Sequence, residues 1–181
     1  MEATPANLII GLSGKPRSGK DTVAKMLQVE FPALVSLTFG NAVKIEYDAL
    51  HGTDTLHDEI EKQHHRSGIN QLGDERRAVD LDYWIKKTLT QTPPFLLTDV
   101  RFPRELDAVW NAHGVMIRIV SDLAVMEQRL GEHFHHIHQT NETLLDNVDE
   151  WDFVIENNGT LEELREGVAE VAREIRKRYT T

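Results

Sequence analysis

The sequence contains no cysteine. Disulfide frameworks, thiolate catalysis and cysteine-type zinc sites are therefore excluded. No apolar run approaches the length needed to cross a bilayer, so no membrane partner is expected. The opening residues, MEATPAN, lack the layout of a secretory leader, and a cytoplasmic protein is expected. Basic residues are in deficit: 20 Lys and Arg stand against 30 Asp and Glu, a net charge of -10. Such a surface disfavours a nucleic-acid polymer held through its phosphates. It still allows a small anionic substrate in a local basic pocket. Internal repeats and linker-like stretches are also missing. The 181 residues, 40 % of them hydrophobic, suit one compact domain, as a monomer or a homodimer.

What is present is organised around Leu8 to Lys25, LIIGLSGKPRSGKDTVAK. Leu8 to Leu12 reads as a buried strand. A loop with Gly14, Gly19 and Lys20 follows, and then an apolar rhythm (Val23, Ala24, Leu27) that fits a helix. Strand, glycine loop, lysine and helix in that order form the Walker A context. Amides of such a loop cradle phosphates, and the helix start adds partial positive charge. Lys20 would reach the outer phosphates of a nucleotide. Lys15 and Arg17 lie inside the loop, where a cation can neutralise a moving phosphoryl group. Asp21 stands where the motif has Ser or Thr, and Thr22 comes next. A carboxylate beside phosphates is repulsive unless a cation lies between them. Mg²⁺ is therefore implied, met by Asp21 directly, through a water, or by Thr22 instead.

Along the chain, apolar segments are expected to form strands near Leu34–Phe39, Phe95–Thr98, Val115–Val120 and Asp152–Ile155. Helices are expected over Val23–Phe31, Ala42–Leu50, Asp80–Leu89, Pro103–Ala112, Asp122–Leu130 and Thr160–Tyr179. Ser121 is the expected N-cap before Asp122, and Thr160 with Glu163 has the capping-box pattern. Alternating strands and helices predict a five-stranded parallel sheet covered on both faces, an α/β three-layer sandwich. Two stretches read as inserts at the carboxyl rim of the sheet, about 53–79 and about 129–147. Inserts of this kind close over substrates. Within the first, RSGINQLGDERR (66–77) reads as an irregular polar stretch.

Asp99, delivered by the strand FLLT, fits the second acidic position of a P-loop enzyme, near Mg²⁺. Arg101 and Arg104 follow it and can bind phosphate in parallel. Arg66, Arg76, Arg77 and Lys44 form a second basic set, suited to a phosphate already carried by an acceptor. Asp74 and Glu75 could orient them or serve as a base near the attacking oxygen. Arg129, at the start of the second insert, precedes the irregular 131–147 stretch and could act as a lid arginine. His133, His135, His136 and His138 crowd that insert, read as polar lid residues in preference to a metal site.

The segments GKPRSGKDT, LGDERR followed by LDYW, TDVRFPRELDAV and WDFVIENNGTLEEL resemble two groups of P-loop kinases. One is the bacteriophage and bacterial deoxynucleoside monophosphate kinases; the other is the animal-type phosphomevalonate kinases. The resemblance runs through nearly the whole chain and implies the nucleoside monophosphate kinase type of fold, with acceptor-binding and lid inserts. It assigns Gly14, Lys15, Ser18, Gly19, Lys20, Asp21 and Thr22 to ATP phosphates and Mg²⁺, and Asn157 to the border of the adenine. It assigns Asp99 and Arg101 to the reaction centre, Arg66, Arg76 and Arg77 to the acceptor, and Arg129 to the lid. YDALHG and GDERR before an aromatic resemble the phosphomevalonate enzymes; TDVRFP, the His138 to Leu144 segment and NNGTLEEL resemble the nucleotide enzymes. A base would find Asn70, Gln71, Tyr83 and Trp84 near the basic set. The expectation is ATP-dependent transfer to a phosphate-bearing small molecule, first a (deoxy)nucleoside monophosphate and alternatively 5-phosphomevalonate. A nucleotide-binding regulatory protein without transfer is the reading from another class.

Overall fold

The computed structural model describes residues 3–130 and 144–180. The histidine-rich segment lies outside the described residues. The chain divides into two compact units, Met1–Ser36 with Pro93–Thr181, and Leu37–Thr92. The second unit takes in the expected 53–79 insert.

The first unit is built on β1 (Ile9–Ser13), β2 (Val35–Leu37), β3 (Phe95–Leu97), β4 (Val115–Val120) and β5 (Phe153–Glu156), in the sheet order β2-β3-β1-β4-β5. The strands are parallel and the architecture is the expected three-layer sandwich. β1 is buried along its whole length, as a central strand covered on both faces must be. Leu8, Ile10 and Leu12 enter the main core cluster. There they meet α1 (Lys20–Glu30) through Val23, Ala24 and Leu27. The last helix, α8 (Leu161–Thr180), joins the same cluster through Leu164, Val168, Val171, Ala172 and Ile175. Each fully buried Leu or Ile contributes about 1.5–3 kcal/mol. α6 (Pro103–Asn111) buries Leu106 and Val109. A Cβ on Gly114 would lie 2.7 Å from Val109 Cγ1 and 3.0 Å from Ile9 Cγ2, so glycine permits that close approach.

The ends of these helices follow their sequences. α1 stops at Glu30, before Pro32. At α8, Glu163 accepts from the Thr160 amide at 2.7 Å, and the Glu163 amide donates to Thr160 Oγ1 at 3.2 Å. The expected Ser121 cap is corrected. α7 (Leu123–Leu130) starts two residues later, and the Ser121 hydroxyl donates to the Asn157 carbonyl at 2.8 Å instead.

The second unit is helical. α2 (Phe39–His51) begins earlier than expected because Thr38 Oγ1 accepts from the Asn41 amide at 2.9 Å. α3 (Glu59–His64) is capped by Asp58. α4 (Arg66–Val79) overturns the irregular reading of 66–77. Its two glycines are contact points. A Cβ on Gly68 would meet the Tyr47 hydroxyl at 2.5 Å, and the Gly73 carbonyl accepts from Trp84 Nε1 at 3.1 Å. α5 (Tyr83–Leu89) completes the unit, whose core is Ala42, Val43, Tyr47, Leu72 and Trp84.

Candidate active site

The sheet order reverses about β1, which is flanked by β3 and β4. The crevice beyond the carboxyl end of such a strand is where ligands bind in open parallel sheets. The loop Gly14–Gly19 occupies that position.

The loop is held in shape by its own atoms. Lys20 Nζ donates to the carbonyls of Gly14 at 2.5 Å and Lys15 at 3.0 Å. The Ser18 amide donates to the Lys15 carbonyl at 3.1 Å. Arg17 and Gly19 take left-handed backbone, with φ of 61° and 101°. Gly19 is required twice over: besides its φ, a Cβ there would sit 2.2 Å from Asn157 Nδ2. A Cβ on Gly14 would lie 2.5 Å from the Ile119 carbonyl and 2.7 Å from Ser18 Oγ.

Neighbouring elements fasten the loop from one side. Asn157, just past β5, donates from Nδ2 to the Ser18 carbonyl at 2.8 Å. Arg129, on the last turn of α7, donates to the Arg17 carbonyl at 3.3 Å, to Ser121 Oγ at 3.2 Å and to the Asn157 carbonyl at 3.1 Å. Arg129 is therefore bound to the loop and to the β5 exit. A shallow hollow opens beside it, lined by Glu156, Asn157, Asn158, Gly159, Thr160, Glu163 and Leu164.

At the end of β3, Asp99 is half-buried, and Arg101 and Arg104 are exposed. Sequence reading missed Glu105, which lies beneath them. Its carboxylate accepts from the amides of Arg101 at 2.8 Å and Phe102 at 3.1 Å. Burial, with the negative charge of Asp99 adding to it, pushes the Glu105 carboxyl up to about 7. Arg118 on β4 was missed too. Its guanidinium donates to Ser13 Oγ at 2.9 Å and to Asp146 Oδ1 at 2.8 Å. In VMIRIV it reads as one polar residue on an alternating strand, which gives no signal of a site.

The second unit gathers most of the other basic set. Glu46 accepts from Arg76 Nε at 2.7 Å, from the Tyr83 hydroxyl at 2.8 Å and from Lys87 Nζ. Burial opposes the charge on Glu46, but the hydrogen bonds from Lys87, Arg76 and Tyr83 outweigh it and hold the carboxyl down to about 2. Arg77 pairs with Asp74 at 2.8 Å, and Lys44 donates to Asn41 Oδ1 at 3.0 Å. Arg66 is exposed at the start of α4. Trp84 is 4 % exposed and lies in the core, so its ring supports Gly73 and α4 from within. Lys87 joins the cluster without having been singled out in the sequence.

The loop fits a phosphate chain. Ser18 Oγ is buried and has no hydrogen-bond partner, a costly state unless a ligand oxygen satisfies it. For Mg²⁺ the available donors are Asp21, Thr22 and Asp99. Among the described residues no three His, Asp or Glu side chains are gathered for a metal.

The sequence profile of the family described as phosphomevalonate kinase matches residues 12–115, more than half of the chain. The chain belongs to the phosphomevalonate kinase family. It is a kinase, and the match takes in the phosphate loop, all of the Leu37–Thr92 unit and the Asp99–Arg101 turn. Arg118, Arg129 and Asn157 lie beyond the matched segment. Among solved structures, a shikimate kinase from Bacteroides thetaiotaomicron is similar at 11 % identity and TM-score 0.54, covering 93 % of this chain and 98 % of that one. A putative kinase from Chloroflexus aurantiacus is similar at 17 % identity and TM-score 0.51, covering 98 % and 99 %. The protein TT1252 from Thermus thermophilus is similar at 17 % identity and TM-score 0.53, covering 96 % and 99 %. These likenesses are of fold. No described helix is long and apolar enough to cross a membrane.

Proposed function

We propose that this member of the phosphomevalonate kinase family uses Mg·ATP to phosphorylate the phosphate of a small phosphorylated carboxylic acid, 5-phosphomevalonate. The family match over residues 12–115 carries this reading, because it spans the unit that holds the basic set. It shifts the preference away from the nucleoside monophosphate acceptor that the sequence alone favours.

In this reading the amides of Gly14–Lys20 and the hydroxyl of Ser18 bind the β- and γ-phosphates of ATP. Lys20 leaves its loop carbonyls to meet the γ-phosphate. Arg17 and Arg129 neutralise charge that spreads over the phosphoryl group in transit. Asp21, Thr22 and Asp99 would hold Mg²⁺, which when bound neutralises the β- and γ-oxygens. The hollow at Asn157–Thr160 receives the adenine. Arg66, Arg76, Arg77 and Lys44 of the Leu37–Thr92 unit bind the acceptor phosphate and carboxylate. An acceptor phosphate is already largely ionised at neutral pH, so its oxygen attacks the γ-phosphorus without a dedicated base.

The test is an acceptor screen with ATP and Mg²⁺ against 5-phosphomevalonate and each nucleoside and deoxynucleoside monophosphate. Turnover with 5-phosphomevalonate at a kcat/KM at least about tenfold above any nucleotide is expected, about 1.4 kcal/mol of discrimination. Preference for a nucleotide would restore the nucleoside monophosphate reading. Firm ATP binding without turnover on any acceptor would point to a regulatory protein.

A further inference from the structure

The loop is also fastened at Lys15, by a chain of contacts that the functions above do not use. Leu145 is 3 % exposed. Trp151 Nε1 donates to the Val148 carbonyl at 2.9 Å. These two fix the approach to β5, and between them Asp146 projects its carboxylate. Asp146 Oδ1 accepts from Arg118 at 2.8 Å, and Oδ2 pairs with Lys15 Nζ at 2.8 Å.

The two cations differ in freedom. The Arg118 side chain is only 11 % exposed. It is held in three ways: by Ser13 Oγ at the end of β1, by Asp146, and by the Trp151 ring, whose centre lies 5.3 Å from Cζ. Such a guanidinium is an anchor. Lys15 is 27 % exposed, and among the described residues its ammonium pairs with Asp146 alone. Lys15 is also a member of the loop, one residue after Gly14. A flexible lysine loses rotamer freedom when it is called to a phosphate. A carboxylate that already holds it removes part of that cost before the ligand arrives.

We propose that Asp146 is a positioning residue of the phosphate site: clamped by Arg118, it holds the Lys15 ammonium at the loop for the incoming phosphate chain. Arg118 positions at one further remove. Asp146 contacts no substrate in this arrangement and acts through Lys15. The inference rests on the reading that the loop binds nucleotide phosphates.

The experiment is a double-mutant cycle on Mg·ADP binding, followed by calorimetry, which does not depend on which acceptor is used. The variants are D146N, K15M, the double variant and D146E, with thermal melting of each as a control. D146N keeps the shape and removes the charge. It is expected to weaken binding roughly three- to tenfold while its melting temperature stays near the wild-type value. In the K15M background D146N is expected to add no further loss, and D146E is expected to recover part of the affinity. Multiplicative losses in the double variant, or wild-type affinity in D146N, would overturn the proposal. If D146N melts far below the wild type, an R118K variant carries the test: a weaker hold on the carboxylate should weaken binding only where Lys15 is present. Failure of the wild-type protein to bind Mg·ADP at all would overturn the nucleotide reading itself, a separate outcome.

Discussion

Lys20 holds two carbonyls of its own loop, so its charge is stored at the site where transferred phosphate would gather it. Lys20→Ala removes that charge and leaves the loop's other ties intact. kcat should fall by about 10²–10³-fold with an unchanged circular-dichroism spectrum; near-normal kcat would sink the proposed mechanism. Glu105 gives a pH signature at the same scale. Its carboxyl is raised from an ordinary 4.5 to about 7, chiefly by burial. Between those values the folded protein keeps a proton that the unfolded chain has released. Its contribution to stability is therefore complete in acid below that window, and is lost as pH rises through it. A shift of this size corresponds to about 3 kcal/mol. Glu105→Gln keeps an acceptor for the Arg101 and Phe102 amides but cannot titrate. Melting temperature measured from about pH 5 to pH 8 should decline less steeply in that variant than in the wild type.

α2, α4 and α5 meet at Glu46, whose partners Arg76, Tyr83 and Lys87 come from the latter two helices. The carboxyl is held down to about 2, so its stabilisation is complete above the ordinary 4.5 and is lost as pH falls from there through about 2. Glu46→Gln leaves two cations facing a neutral amide. A loss of about 1–3 kcal/mol at neutral pH is expected, read from the urea midpoint, and the difference from wild type should shrink in acid. An acid-independent difference would refute the assignment.

α4 also shows where the sequence was legible and where it was not. The strands and the long apolar helices announce themselves by period, and β4 runs over its expected residues. α4 does not, because Gly68 and Gly73 each weigh against a helix by about 1 kcal/mol. The compensation comes from Tyr47 and Trp84, residues remote in sequence that no local pattern reveals. Among site residues, the loop was legible because one short motif holds it. Arg118 and Glu105 were not, because each acts through partners that only the fold brings near: Ser13 and Asp146 for the one, the turn after Asp99 for the other.

Taken whole, the molecule carries a net charge of -10 and yet is read as binding substrates that are themselves anions. Local cations and Mg²⁺ must therefore prevail over the long-range field. Ligand binding to the folded state is then visible as stability. Mg·ATP at 100 times its dissociation constant should add about 2.7 kcal/mol and raise the melting temperature, while ATP with a chelator should add much less. Scanning calorimetry checks this, and an unmoved transition with Mg·ATP would argue against phosphate binding by the loop.

The amide of Asn157 stands where a methyl on residue 19 would have to go. Those two positions cannot drift independently over a lineage. Enlargement at 19 meets both that amide and a left-handed backbone that shrinking 157 does not relieve, and shrinking 157 unties the loop from the end of the sheet. Random mutagenesis under selection for activity should return this glycine and this asparagine together, as one inherited unit.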